Sequence, residues 1–387
     1  MTIKNYFRLL IEGRYRGWET SFWKPILFLL SGIYRHTILI RRAFYQFKIL
    51  KPRSLSIPVV SIGNLSWGGV GKTPITMYIS RFLLCEQKVP LVLTRGYGSD
   101  ESREYAEGLP QAILGIGKNR FSVARGILKS KHANVAILDD GFQHWQLHRD
   151  LEVVVINALN PFGNGVLIPF GILREEPASL NRAEIIIFND VNLVPRKSFE
   201  EVKAKVKQLA PKAQFLEAQR EPLYFYWARS KERVDLERLR GKRITTFSGV
   251  GTPRSFQLLL SNLGVKTIRN FEFCDHHPFS EREIREVIEV KESSQSDYIV
   301  TTEKDLLRKE KLICEVMNPL VLKISLRIMI GDHLLKDRLR RLLGIQNSLE
   351  PKSAAQPTNH HSRPVGSEAV RSQEVTQSQN ERGKEIV

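Results

Sequence analysis

From residue 55 onward, short apolar runs alternate with stretches whose apolar residues recur every three or four positions, the pattern of buried parallel strands joined by amphipathic helices. Runs at 57–62, 90–94, 134–138, 152–156 and 184–188 predict a first set of strands, and 243–247, 297–301 and 320–324 a second. Between the sets, 215–239 carries Tyr224-Phe225-Tyr226-Trp227 and then a charged run, and reads as a ribbon connecting two lobes. The expected fold class is α/β: a parallel sheet with flanking helices over 55–218, then a second, smaller α/β lobe with a C-terminal helix over 219–345. Beyond residue 345 the apolar periodicity stops. The segment 346–387 is rich in Ser, Gln, Asn, Glu and Pro and is expected to be a disordered tail.

Residues 1–54 follow a different pattern. Ile3, Phe7, Leu10 and Ile11 recur at helical spacing with Lys4, Arg8 and Arg14 between them, which predicts a basic amphipathic helix. The uncharged run 25–34 that follows is well short of the ~20 residues a spanning helix requires. With Trp18, Trp23, Tyr34 and Tyr45 available at headgroup depth, 1–54 is expected to form membrane-associating helices that lie in or enter the interface. The alternative is an ordinary helical hairpin packed on the body.

Charge sharpens the choice. The 387-residue chain has a formal net charge of +18, and residues 1–53 hold half of that excess, with eleven Lys/Arg against Glu12 and Glu19. A basic balance asks for a phosphate-rich partner. Its concentration beside apolar and aromatic residues favours an anionic membrane surface over nucleic acid, and no protein partner is evident. Cys85, Cys274 and Cys314 are too few and too scattered for a disulfide framework or a zinc cluster, and charges interrupt any early signal-peptide core.

The chemistry begins at Asn64-Leu65-Ser66-Trp67-Gly68-Gly69-Val70-Gly71-Lys72-Thr73, directly after the first strand. Glycines let backbone N–H groups crowd around a polyphosphate, a lysine reaches its outer phosphates, and a threonine hydroxyl can ligate Mg²⁺. This is a phosphate-binding loop, and it makes the expected sheet P-loop NTPase-like, although the strict pattern places Gly where Ser66 stands. Asp139 and Asp140 end a buried strand and are candidates to hold the metal with Thr73. In Asp275-His276-His277, a histidine tuned by a carboxylate could assist a general base, while a capping Asp with surface histidines explains the cluster equally well. Arg174, on a Gly/Pro-rich loop, could neutralise charge on a transferring phosphoryl group. Thr302-Glu303-Lys304-Asp305 is either a second-lobe site or a helix cap.

Together these pieces resemble the tetraacyldisaccharide 4'-kinase family of lipid A biosynthesis. The resemblance rests on the phosphate loop, Thr94-Arg95-Gly96-Tyr97-Gly98, Asp139-Asp140-Gly141-Phe142-Gln143-His144, Phe162-Gly163-Asn164-Gly165 and Leu173-Arg174-Glu175. Ser248-Gly249-Val250-Gly251, Asp275-His276-His277 and Thr302-Glu303-Lys304-Asp305 extend it to residue 305. It implies an ATP- and Mg²⁺-dependent kinase whose acceptor is the 4'-hydroxyl of an acylated disaccharide lipid, working at the cytoplasmic face of the bacterial inner membrane as a peripheral or monotopic protein.

The residue roles follow from the same resemblance. Asn64, Ser66, Gly68, Gly69, Val70, Gly71, Lys72 and Thr73 would hold the nucleotide, and Thr73, Asp139 and Asp140 the metal. Asp100 would be the base, assisted by His276, with Lys72 and Arg174 completing the catalytic set. Glu101, Arg120 and Glu175 would position substrate or stabilise charge. The family separates its Arg-Gly-Tyr-Gly element from the Asp-Glu pair by a longer insertion, so the loop before Asp100 is shortened here. A membrane-associated P-loop ATPase or GTPase switch acting on a protein partner is the competing class; no Asn-Lys-x-Asp guanine element supports it.

Overall fold

The computed structural model describes residues 19–96 and 99–345, the side chains of 19–21 and 99–101 excepted. The expected helix at 3–11, Tyr97, Gly98 and the tail lie outside the described residues.

A long helix α1 (Glu19–Gln46) precedes the sheet. In chain order there follow β1 (Val59–Gly63), α2 (Lys72–Cys85), β2 (Pro90–Thr94), α3 (Ser99–Gly108), β3 (Ile113–Ile116), α4 (Arg120–Ile127), β4 (Val135–Asp139), β5 (Leu151–Asn157) and β6 (Ile185–Asn189). The chain continues through α5 (Arg196–Leu209), β7 (Gln214–Trp227), β8 (Arg233–Val234), β9 (Arg243–Ser248), α6 (Pro253–Asn262), β10 (Lys266–Glu272) and α7 (Glu281–Ser293). It ends with β11 (Tyr298–Thr302), α8 (Glu303–Arg308), α9 (Glu310–Val316), β12 (Leu320–Ile330) and α10 (Asp332–Leu342).

All strands join one sheet in the order β10-β9-β11-β12-β7-β6-β5-β1-β4-β2-β3, with β8 paired to β7. Along that order neighbours are parallel on either side of an antiparallel seam between β12 and β7, and β8 runs antiparallel to β7. The expected boundary at 218/219 falls inside β7, whose first residues pair with β6 and whose remainder pairs with β12. Of the segment 215–239 read as a linking ribbon, the part up to Trp227 is thus a strand of the sheet and 233–234 is β8.

β1 lies between β4 and β5, so the chain leaving β1 must cross β4 to reach β2. Such a reversal of strand order opens a crevice at the carboxyl ends of the strands, where ligands of α/β sheets bind. Both faces of β1 are covered. Val60 and Ile62 pack with Ile75, Ile79 and Leu83, one face of α2 at four-residue spacing, while Val59 packs in a second cluster with Ala124 of α4. Burying each of these aliphatic side chains contributes about 1.5–3 kcal/mol before the entropy of ordering is charged against it.

α1 has one side against the body. Leu27 is buried, the Ser31 hydroxyl donates to the Leu167 carbonyl at 2.8 Å, and the Tyr34 hydroxyl donates to the Arg174 carbonyl at 3.1 Å. Its other side leaves Phe22, Phe28, Leu29, Ile33 and Ile40 between 56% and 66% exposed. Among the described residues no helix is long and apolar enough to cross a membrane.

Candidate active site

The phosphate loop is built by a short antiparallel ladder. Trp67 N–H donates to the Ile172 carbonyl at 2.6 Å, Arg174 N–H donates to the Leu65 carbonyl at 2.7 Å, and Ser66 bridges Leu173 between them. Ser66 is thus extended and buried, which accounts for a serine at a position where a tighter loop would need glycine. The glycine requirement falls later, at Gly71, whose φ of 95° opens α2. A Cβ there would also come within 2.4 Å of Asn189 Nδ2, the amide that donates to the Val70 carbonyl at 3.0 Å.

The ladder delivers Arg174 to the acids that follow β4. Arg174 Nη1 donates to both carboxylate oxygens of Asp140, at 2.8 and 2.9 Å. Lys72 Nζ lies 3.3 Å from Asp140 Oδ1 and donates to Asn64 Oδ1 at 3.0 Å. Burial alone would push the Asp140 carboxyl up, but the Lys72 and Arg174 cations overcome that and hold it at about 2. Gln143 completes the cluster: its amide donates to the Asn64 carbonyl at 3.0 Å and its oxygen faces Arg174 at 3.4 Å.

Asp139, the last residue of β4, is buried and accepts a hydrogen bond from the Tyr105 hydroxyl at 2.8 Å. Arg120 is buried, which lowers its pKa, while Asp140 and Asp139 act in the opposite sense. Among the described residues its Nε has no hydrogen-bond partner, so a buried guanidinium within electrostatic reach of Asp140 and Asp139 retains a donor for an anion. Thr73 sits half-buried in the first turn of α2. Thr73, Asp139 and Asp140 offer the oxygen-only donor set that Mg²⁺ takes. Among the described residues no three His, Cys, Asp or Glu converge on one point.

The second half of the chain touches the loop directly. The Thr252 hydroxyl donates to the Gly69 carbonyl at 2.9 Å, and a Cβ on Gly251 would lie 2.1 Å from Gly69 N. That same Cβ would be 2.9 Å from Asp275 Oδ2, which places the Asp275-His276 turn beside the phosphate loop. Asp275 Oδ1 accepts from the His276 backbone N–H at 3.1 Å and lies 3.9 Å from its ring Nε2, beyond hydrogen-bond range. His277 is held elsewhere, 2.9 Å from Glu283 Oε1 and stacked on Phe273 at 4.7 Å.

Thr302-Glu303-Lys304-Asp305 is a helix cap: the Thr302 hydroxyl accepts from Asp305 N–H at 3.2 Å. Buried Asp305 also accepts from Gly249 N–H at 3.0 Å and pairs with Arg308 at 3.0 Å, fixing the glycine loop that meets Gly69. Glu175 is engaged by Arg182, at 2.8 and 3.2 Å, outside the Lys72–Asp140–Arg174 cluster. Asp100 and Glu101 lie in the first turn of α3. Gln143, Asn189, Thr252 and Tyr105 are the members that sequence reasoning missed; Asn189 had a signal, a polar residue closing an apolar strand.

His144, next to this site, supplies a test of the local electrostatics. Burial, followed by the charges of Arg120, Arg149, Arg41 and Arg95, pushes its ring down to about 4. The unfolded chain therefore binds this proton first as pH falls below ~6.5, and stability must drop between there and about pH 4. Melting temperature followed over that range should fall less steeply for His144→Gln than for the parent; identical slopes would reject the assignment.

A phosphate loop at the strand-order reversal, with a lysine, an ionised aspartate and an arginine gathered at its mouth, defines a P-loop phosphotransferase site. The profile of the tetraacyldisaccharide-1-P 4'-kinase family matches residues 23–111 and 100–344, two segments that overlap over 100–111. The chain belongs to that family.

A probable mitochondrial tetraacyldisaccharide 4'-kinase of Arabidopsis thaliana is 33% identical over 325 residues, covering 75% of this chain and 82% of that relative. A tetraacyldisaccharide 4'-kinase of Halothermothrix orenii is 32% identical over 321 residues, covering 74% and 83%. Among solved structures, LpxK from Aquifex aeolicus in complex with ATP is similar with a TM-score of 0.62 and 26% identity, over 83% of this chain and 99% of that one. The switch reading is thereby set aside.

Proposed function

We propose that the protein transfers the γ-phosphate of ATP to the 4'-hydroxyl of a tetraacylated glucosamine disaccharide 1-phosphate, yielding the 4'-phosphorylated lipid A precursor (lipid IVA) of lipopolysaccharide biosynthesis. The observation that carries this reading is the convergence of Lys72, Asp140 and Arg174 at the mouth of the phosphate loop. Asp140, ionised between the two cations, keeps both oriented before the nucleotide arrives.

In this reading the amides of 68–73 and Lys72 take the β- and γ-phosphates. Asp100, assisted by His276, accepts the proton of the 4'-hydroxyl as its oxygen bonds to the γ-phosphorus. The bond from that phosphorus to the bridging oxygen breaks, and ADP leaves with the electron pair. Arg174 and the free donor of Arg120 offset charge that spreads over the transferring group. Mg²⁺ held by Thr73 and by Asp139 or Asp140 would neutralise the phosphates. Glu101 positions groups around Asp100, and Glu175 supports the neighbouring Arg174 through its pair with Arg182.

The acceptor is greasy and anionic, so the chemistry must happen at a membrane surface. The exposed apolar face of α1, tied to the Arg174 loop through Tyr34, supports docking of 1–54 on the cytoplasmic face of a bacterial inner membrane, peripheral or monotopic. Purified protein given radiolabelled ATP, Mg²⁺ and the acceptor in anionic vesicles should yield a singly labelled lipid. Absence of labelled lipid from folded, nucleotide-binding protein would reject the function. Phe28→Asp with Leu29→Asp should release the protein from those vesicles in flotation; undiminished flotation would place the contact elsewhere.

A further inference from the structure

Tyr105 is fully buried, yet its hydroxyl is not spent on solvent or backbone. It donates to Asp139 Oδ2 at 2.8 Å. A buried phenol needs a partner, and this one has taken a carboxylate that the proposed function assigns to Mg²⁺. The helix that carries it, α3, also carries Asp100 and Glu101 in its first turn, one turn before Tyr105. The outer side of the same helix is fastened to the second half of the chain. Arg103 Nη1 donates to the Leu307 carbonyl at 3.1 Å and Nη2 to Glu310 Oε2 at 2.7 Å, while Lys231 holds the other oxygen of Glu310 at 2.7 Å.

We infer that Tyr105 is a positioning residue for phosphoryl transfer: its hydroxyl fixes the Asp139 carboxylate, and its place on α3 sets the spacing between that carboxylate and Asp100. The inference rests on the proposed function only in taking Asp139 as a metal-side acid. A carboxylate free to rotate at the end of β4 would present its oxygens in several directions, whereas one held at Oδ2 by a rigid aromatic side chain presents Oδ1 in one. Packing alone does not call for the hydroxyl, since a phenylalanine fills the same space between Met77, Val92 and Leu109.

The test is Tyr105→Phe, which keeps the ring and removes the donor. The Mg²⁺ concentration for half-maximal binding of a fluorescent ATP analogue should rise ~10-fold or more, as for other partners that orient a metal-side carboxylate. Turnover should fall by a similar factor with KM for the lipid acceptor unchanged. In an Asp139→Asn background the same substitution should have no further effect on the Mg²⁺ requirement. Wild-type Mg²⁺ dependence in Tyr105→Phe overturns the inference, as does an equal loss with and without Asp139.

If Tyr105→Phe does not fold, 3-fluorotyrosine placed at 105 gives the readout: its ¹⁹F resonance should move when Mg²⁺ joins the bound nucleotide, and an unmoved resonance overturns the inference. A Tyr105-dependent Mg²⁺ requirement in protein that phosphorylates no lipid supports this inference and removes the acceptor reading alone.

Discussion

Arg174→Ala is expected to lower kcat about 10³-fold while nucleotide affinity changes little, because an arginine aimed at a transferring phosphoryl group acts mainly in the transition state. The structure gives the reason for so large an effect from a loop residue. Its backbone N–H is fixed to Leu65, its carbonyl accepts from Tyr34, and its guanidinium is already held by Asp140. Little ordering remains to be done when ATP binds. Arg174→Lys should recover only a small part of the loss, since an ammonium restores the charge but not the planar fork. Single-turnover transfer of radiolabel, paired with equilibrium binding of a fluorescent nucleotide, separates the two quantities. A variant that loses binding and turnover together would make Arg174 a nucleotide-binding residue, and one with near-parental turnover would remove it from the mechanism.

The parts of the fold that the sequence made legible are those where burial leaves a clean signature. β1, β2, β4, β5 and β6 are fully buried along their length, so they read as mostly apolar runs, broken only by single polar residues such as Ser61 and Glu152. The strands that escaped notice include both sheet edges: β3, a four-residue strand with Ile116 half-exposed, and β10, where Lys266, Arg269, Asn270 and Glu272 interrupt the pattern. β7 lacks that signature because polar residues interrupt it: Glu217 is buried against Arg196 and Lys203, both at 2.6 Å, and the charged run of the ribbon begins only after the strand ends at Trp227.

The site divides in the same way. Motif spacing gave the residue types, because a phosphate loop and a pair of strand-end acids announce their chemistry locally. The partners were not legible, because each contact is made across the fold: Arg174 with Asp140, Thr252 with Gly69, Asn189 with Val70, Tyr105 with Asp139. Ser66 and the motif around Asp305 show the limit from the other side. Ser66 departs from the strict loop pattern because a backbone bridge to Leu173 holds it extended, while at Thr302–Asp305 the spacing contained the helix cap but not the Asp305 contact with Gly249.

Asp100→Ala is expected to lower kcat by about 10²- to 10⁴-fold at pH 7, the usual contribution of a general base, with ATP affinity close to that of the parent. α3 is fastened to the carboxyl end of β4 by the Tyr105–Asp139 contact, and Asp100 lies in the turn of α3 that precedes Tyr105. A neighbouring carboxylate does not offer an equal substitute. Asp140 is already ionised by Lys72 and Arg174 and its pKa of about 2 makes it a poor proton acceptor at neutral pH. Asp139 is buried against a phenol that donates to it. The proposed mechanism therefore assigns the proton of the acceptor hydroxyl to Asp100 on α3, with the His276 turn lying beside the phosphate loop at Gly251. Single-turnover transfer paired with nucleotide binding separates the partners: Asp100→Ala should lose turnover and keep binding, and His276→Ala should lose less turnover than Asp100→Ala. Near-normal turnover in Asp100→Ala would move the base to another residue and with it the account of how α3 serves the site.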